Sequence, residues 1–532
     1  MGLSAFLILF ETRSNTFYND EHTVFQKLGL GIDAHSILEP HNGHLIAPAR
    51  MIYAAVLSAA GPDYTILRVI SVLVFLACCL LFFVLVKRRV GAILALAPTI
   101  VLLFLGSSWA TLLLPFVTLT TVLSIAFGLG ALLALERDDR KGDLAACVLA
   151  TLSVVSFSAG LAFLVGVAVA VLLRRDRLDR LWIFLVPLLI YAAWRLWALQ
   201  FPNNPVHAIN ALLIPSFSAE SLAAVASAVT GLSYNFVGAS APGVPPPPGV
   251  SLWGQVIGLV AVLGIAVRLW RGAVPRSLWV ALATLLAYWA TLALAFGVAR
   301  TPSQSRYLFT GAVLLLLVAA EAVRGLRLPR AAVVAIFAVT AVSVSTNIRQ
   351  LDDAEQFLRD LVAPTRAELG AIELARGSVL PDFAVPLRDT HLPVKPADYL
   401  AAVDRFGSYA FSPDELPAQD PQVRNDADRV LASAERLFLR PTTAHQGANN
   451  CTDLPSGSLT SPAVRQLRPG HIRLEANERA EVHLGRFAPG YPVARGPLPP
   501  RRPVTLAIPR DASARPWRIA ISSAAPVKLC TS

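Results

Sequence analysis

Apolar residues in this chain come in long blocks, and short clusters of arginine and lysine stitch the blocks together. A single soluble core does not require that order, but a bilayer does. A helix must stay apolar for about 20 residues to cross the hydrocarbon, and Lys and Arg collect in the connections on the cytoplasmic side. The composition agrees: of 532 residues, 55% are hydrophobic and 15% charged, with a mean hydropathy of +0.57. Soluble chains of this size carry far more charge. The net charge of +11 does not point to nucleic acid, because the cations are spread over hinges and not gathered into a patch interleaved with aromatics.

The first block, Met1 to Phe10, is too short to cross and lacks the basic start and small-residue cleavage site of a signal peptide. It reads as the tail of a first span whose beginning is missing from this reading frame. Further spans are predicted at about 64–86, 91–106, 112–135, 144–157, 160–173, 181–199, 252–270, 277–297, 307–323 and 331–347. Ser156, Ser158, Ala159 and Gly160 divide the stretch 144–173 into a tight hairpin of two half-length spans. Counting about eleven spans places every basic hinge on one side, from Lys87, Arg88 and Arg89 to Arg324, Arg327 and Arg330. Gln200 to Ser251 contains no Lys or Arg, so that segment, with its Pro245 to Pro248 run, is assigned to the outer side. The same parity puts Glu11 to His44 and everything after Asn347 outside.

Beyond Asn347 the composition becomes that of a soluble protein. Asp352 to Arg376 and Asp426 to Leu439 have helical periodicity. Short alternating runs, such as Ile472 to Leu474, Glu481 to Leu484, Val504 to Ile508 and Arg518 to Ile521, read as strands separated by Pro and Gly turns, with Trp517 as a core anchor. The expected fold is therefore a membrane all-α, polytopic helical bundle of about eleven spans, followed by a small outer α+β or β-sandwich domain. Its expected divisions are a transmembrane domain at 1–350, with an acidic first outer loop (11–44) and a Pro-rich outer loop (200–251), a helical linker at 351–440, and a β-rich domain at 441–532. Cys78, Cys79 and Cys147 lie in apolar blocks and read as packing residues. Cys451 and Cys530, at the two ends of the last domain, are placed for one disulfide if that domain faces an oxidising compartment.

Chemistry is sought in the first outer loop, where Phe17, Tyr18, Asn19, Asp20, Glu21, His22 is followed by Glu39, Pro40, His41, Asn42, Gly43, His44. Adjacent carboxylates with histidines nearby can bind a divalent cation or serve as a general base. On local pattern alone, an acidic pair starting a helix equally suits the positive end of the dipole. His41 and His44, three apart, suit one face of a helix, and two histidines are a weak metal signal. Late in the bundle, Ser305, Arg306, Tyr307 opens a span, where an arginine can grip a phosphate or simply anchor at the interface.

The run His41 to Tyr53, then Pro62, Asp63, Tyr64 to Arg68, an apolar span and Lys87 to Arg89 resembles the GT-C superfamily of polyprenyl-phosphate-dependent glycosyltransferases, which includes protein O-mannosyltransferases and aminoarabinose transferases. Asp20 and Glu21 match the superfamily's acidic pair. Its His-Pro-Pro segment appears here as His-Asn-Gly-His. The resemblance implies sugar transfer from a lipid-phosphate carrier to an acceptor on the outer face of the membrane. Asp20 is then the general base or a ligand of a divalent cation such as Mg or Mn, with Glu21 supporting it. Arg306, or else Arg50 or Arg68, neutralises the leaving phosphate, with Tyr307, His41 and His44 lining the substrate. Two other readings compete, a non-catalytic scaffold presenting the outer β-domain and a lipid or polysaccharide transporter. The second is weakened because few ionisable residues lie within the spans, apart from Arg195 and Glu321 near their ends. High Ala, Arg and Pro usage suits a bacterial plasma membrane, with the C-terminal domain extracytoplasmic.

Overall fold

A computed structural model describes residues 1–202, 206–232, 252–272, 274–297, 300–381, 384–385, 387, 394–442 and 450–531. The Pro245 to Pro248 run lies outside the described residues. The chain divides into two compact units, one formed by Met1–Asn15 and Ile32–Leu358, the other by Thr16–Gly31 and Arg359–Ser532.

The first unit is helical. Its segments are α1 (Gly2–Glu11), then, beyond α2 (Asp20–Leu30) of the other unit, α3 (Ala34–Leu38), α4 (Ala47–Ala60), α5 (Tyr64–Val90), α6 (Ala92–Leu103) and α7 (Trp109–Leu113). The next rod is assembled from α8 (Pro115–Val117), a π-helical turn (Thr118–Val122) and α9 (Leu123–Leu135). There follow α10 (Arg140–Ser156), α11 (Ala159–Leu172), α12 (Trp182–Ala198), α13 (Ile214–Thr230), α14 (Leu252–Trp270), α15 (Arg276–Leu294), α16 (Ser305–Ala322) and α17 (Arg330–Leu374), whose residues from Arg359 on belong to the second unit. Local chemistry sets several boundaries. The Asp63 carboxylate accepts the Thr65 N–H at 2.9 Å to start α5. That helix ends in Lys87, Arg88 and Arg89, which suit its negative dipole end, before Gly91 turns away at φ +85°.

Among the described residues, eight helices are long and apolar enough to cross a membrane, or nine if Ala92–Leu103 and Gly106–Leu113, bent by 45°, make one span. The chain is an integral membrane protein. The expectation of about eleven spans differs because the segments predicted at 1–10, 144–157 and 160–173 are helices of only 10, 17 and 14 residues. A second difference is that the supposed loop 200–251 contains a helical stretch, Ala208–Thr230, apolar enough to count as a candidate span. Its contacts decide how it runs. His207 N–H and Asn210 Nδ2 bond Leu294 O at the finish of α15, and Ala228 O accepts from Asn347 far along α17. Both ends of this stretch therefore touch the side of the unit opposite the basic starts of α15 and α17, so it lies across that side.

Close helix packing rests on small residues, as membrane bundles require. A Cβ added to Gly128 would lie 2.2 Å from the Phe163 ring, and one on Gly160 2.4 Å from the Ser153 carbonyl. Gly160 thus lets α11 fold back tightly on α10 after the break at Phe157. Helix α17 continues for 45 residues, where sequence suggested a span and a separate helix. Its apolar stripe persists through the charged stretch as Leu351, Ala354, Leu358 and Leu361, all buried, and the helix carries on past Pro364.

In the second unit, α2 packs on α18 (Pro396–Phe406) so closely that a Cβ on Gly29 would sit 2.4 Å from Ala402 Cα. Phe25 anchors an aromatic cluster with Phe17, Tyr399, Phe406 and Tyr409. After α19 (Pro421–Ala434) come nine strands: β1 (Arg440–Pro441), β2 (Asn450–Leu454), β3 (Ala463–Leu467), β4 (Gly470–Ala476), β5 (Ala480–Gly485), β6 (Val493–Leu498), β7 (Val504–Ile508), β8 (Trp517–Ser522) and β9 (Val527–Thr531). They form two antiparallel sheets, ordered β1-β7-β4-β9-β2 and β3-β8-β5-β6. Period-2 alternation buries Ile472 and Leu474, Val482 and Leu484, and Trp517, Ile519 and Ile521. Cys451 and Cys530, directly opposite in the β2–β9 ladder, are joined by a disulfide.

Candidate functional site

The acidic pair sits at the start of α2, in the second unit. Asn19, at φ 46°, turns the chain into the helix, a backbone state Asn tolerates better than most residues. Glu21 is 1% exposed and its Oε2 accepts the Tyr18 N–H at 2.9 Å, while Glu21 N–H donates to Tyr18 O at 3.0 Å. This reciprocal cap makes Glu21 a holder of the turn. Asp20, half-buried, is the more accessible carboxylate of the two. His22 is buried, with Nδ1 2.8 Å from the Tyr409 hydroxyl.

His41 and His44 belong to the first unit and do not share a helix face. They pair as a two-residue β-turn, with reciprocal backbone bonds of 2.9 and 2.8 Å across Asn42 (φ 50°) and Gly43 (φ 82°). Asn-Gly is the sequence that most readily gives two consecutive positive φ angles, and this overrides the three-residue spacing. The turn rests on aromatic rings: His41 meets Phe116 edge-on and His44 lies 4.5 Å from Phe157. Trp194 Nε1 donates to Leu38 O at 2.8 Å, fixing the neighbouring α3.

Arg50, on α4, is 1% exposed. Its Nη1 donates to Ser36 O at 2.9 Å, to Ile37 O at 3.3 Å and to Glu39 O, so it gathers the carbonyls where α3 ends. Nε and Nη2 are buried and have no hydrogen-bond partner among the described residues. Burial brings this guanidinium down to about 10, with nearby Glu39 opposing the shift, so it remains charged at neutral pH. Buried donors left unmet cost roughly 1–3 kcal/mol. An anion at that edge would recover it.

Arg68 is committed otherwise. Its Nε donates to Thr12 Oγ1 at 2.8 Å and its Nη2 to Leu9 O, closing the end of α1. Arg306, half-buried in the first turn of α16, donates through Nε to Gln304 Oε1 at 3.0 Å and lies 5.1 Å from the Tyr307 ring centroid. Ser108 Oγ holds Ser305 O at 2.8 Å, and Tyr288 OH donates to Tyr307 O at 3.3 Å. Asp20 and Glu21 therefore fall in one unit and His41, His44, Arg50, Arg68, Arg306 and Tyr307 in the other.

Uncharged polar residues near Arg306 escaped the sequence reading. Ser107 N–H and Oγ donate to Asn347 Oδ1 at 2.9 and 2.8 Å, and Asn347 Nδ2 donates to Ala228 O at 3.0 Å. Gly106 permits this approach, since a Cβ there would lie 1.7 Å from Asn347 O. The available signal was a run of Asn347 and Gln350 closing an apolar block. Among the described residues, no group of three or more His, Cys, Asp or Glu could hold a metal ion.

The chain is similar in structure to ArnT from Cupriavidus metallidurans bound to undecaprenyl phosphate, at 12% identity and a TM-score of 0.42, over 75% of this chain and 83% of that one. It is also similar to the arabinosyltransferase EmbB from Mycobacterium smegmatis, at 10% identity and a TM-score of 0.37. Both likenesses are distant. The second comparison covers 100% of this chain and 64% of EmbB. No family model and no curated protein matches the sequence.

Proposed function

We propose that the chain is a membrane glycosyltransferase that takes its sugar from a lipid-phosphate carrier and passes it to an acceptor on the outer face, where the C-terminal domain also lies. The observation that carries this reading is the buried edge of Arg50, whose Nε and Nη2 meet no protein acceptor among the described residues. Nε and one Nη form the fork that matches two phosphate oxygens. Asp20, the more accessible member of its pair, is the carboxylate of the second unit suited to take a hydroxyl proton as a general base. Arg306 is a second cation for the departing phosphate.

Undecaprenyl phosphate binding to the full chain in detergent, followed by native mass spectrometry, tests the Arg50 assignment. Arg50→Ala should weaken binding at least tenfold, about the 1.4 kcal/mol that one charge-assisted hydrogen bond supplies. Trp194→Phe, which removes the bond to Leu38 O without touching the guanidinium, should leave it unchanged. Wild-type affinity in Arg50→Ala, or equal losses in both variants, refutes the assignment. Asp20→Asn should abolish transfer while sparing binding. A scaffold presenting the β-domain is favoured by the commitment of Glu21 and Arg68 to backbone caps, and it predicts full function in Asp20→Asn.

A further inference from the structure

A cavity of about 590 Å³ opens in the first unit, among the helix ends that carry the basic hinges. Its volume falls within the range of small-molecule sites. The wall is apolar, built from Leu85 of α5, Leu132 and Leu135 of α9, Val280 and Ala281 of α15 and Leu317 of α16. Its rim is charged. The carboxylates there are already engaged: Glu136 by Arg88 at 2.9 Å and by Arg89, Glu321 by Arg89 and by Ser277 Oγ at 2.6 Å. Asp138 is held by Arg174 and by Arg180 at 2.8 Å, and Asp176 by Arg180 at 2.7 Å.

Two arginines on the same rim, Arg175 and Arg276, make no ion pair among the described residues. They come from different connections, one following α11 and the other opening α15, so the fold brings them to one opening. The buried Arg89–Glu321 pair, with Glu321 2% exposed, fixes the rim from inside. An apolar wall below a rim with two uncommitted guanidinium groups matches an amphiphile with a phosphate head. A purely apolar ligand would leave the arginines idle, and a bare anion would leave the wall wet.

We propose that this cavity binds a phosphate monoester carried on an alkyl chain, its head between Arg175 and Arg276 and its chain against Leu132 and Leu317. The site is separate from the one assigned to Arg50 and does not depend on that assignment. Decyl phosphate and inorganic phosphate are the probes, titrated against the full chain in detergent, with occupancy counted by native mass spectrometry. Arg175→Ala/Arg276→Ala should weaken decyl phosphate at this site at least tenfold. Leu132→Trp, which fills the cavity from a half-buried wall position, should remove the site while keeping both arginines. Inorganic phosphate should bind at least tenfold more weakly than decyl phosphate. Unchanged decyl phosphate occupancy in both variants, each eluting as a single species like the parent, overturns the proposal. Equal affinity for the two probes overturns it as well. Undecaprenyl phosphate is itself such an amphiphile, so each variant should lose one bound copy of it and keep the copy held by Arg50, and failure here leaves the earlier reading standing.

Discussion

Replacing Glu435 by Gln should remove most of the pH dependence of the second unit's stability between pH 6 and 8. Glu435 is buried beside Asp511 and Arg486, with Oε2 accepting from Trp517 Nε1 at 2.9 Å. Arg486 grips Asp511 through both terminal nitrogens, the Nη2 bond being 2.8 Å, and sits 3.9 Å from Glu435. Burial first, and then the neighbouring Asp511 carboxylate, push Glu435 up to about 8. Burial also opposes the charge on Asp511, but its two bonds from Arg486 help bring it below the usual carboxylate range. Glu435 is therefore the protonated partner.

The sign follows from linkage. From pH 4.5 to 8 the folded state holds a proton on Glu435 that the unfolded chain has released, so stability is highest at the acid end of this window and falls as pH rises. Asp511 titrates below the window and does not contribute. Integrating between pH 6 and 8 gives a loss of about 2 kcal/mol, a roughly 30-fold rise in the opening constant. Hydrogen exchange of the β8 amides, in the full chain and corrected for intrinsic rates, reads that constant directly. Glutamine stays neutral and can still accept from Trp517 Nε1, so its slope should be flat. A flat wild-type profile, or the same slope in both proteins, refutes the shared-proton reading.

Two further outcomes test the second unit. Cys451→Ser should destabilise the β-domain by up to about 4 kcal/mol, since the disulfide closes a separation of 79 residues, read as faster proteolysis of that domain; equal rates with and without reductant in the wild type refute it. Gly29→Ala should force α2 and α18 apart at Ala402, costing about 1–3 kcal/mol, read as faster exchange in α2, and unchanged protection refutes it.

Much of the architecture was legible in the sequence because it is written in local period. Long apolar blocks gave the helices, their basic ends gave the hinges, and alternation around Ile472, Val482 and Trp517 gave the strands. The site was legible only as residue types. His41 and His44 were placed on a helix face because their spacing was read without the Asn-Gly turn between them. Arg50, Arg68 and Arg306 looked alike as interfacial arginines, yet one caps α3, one caps α1 and one opens α16.

By itself, the sequence determined that this chain lives in a bilayer and carries a small β-rich domain, because hydropathy and periodicity are properties of neighbouring residues. Tertiary structure alone decided that Thr16–Gly31 packs with the second unit, that Ala208–Thr230 lies across one side of the first, and that Arg50 has a buried edge to spare. Those outcomes depend on which distant carbonyls and rings come within reach, and contacts between residues far apart in sequence leave no period to read.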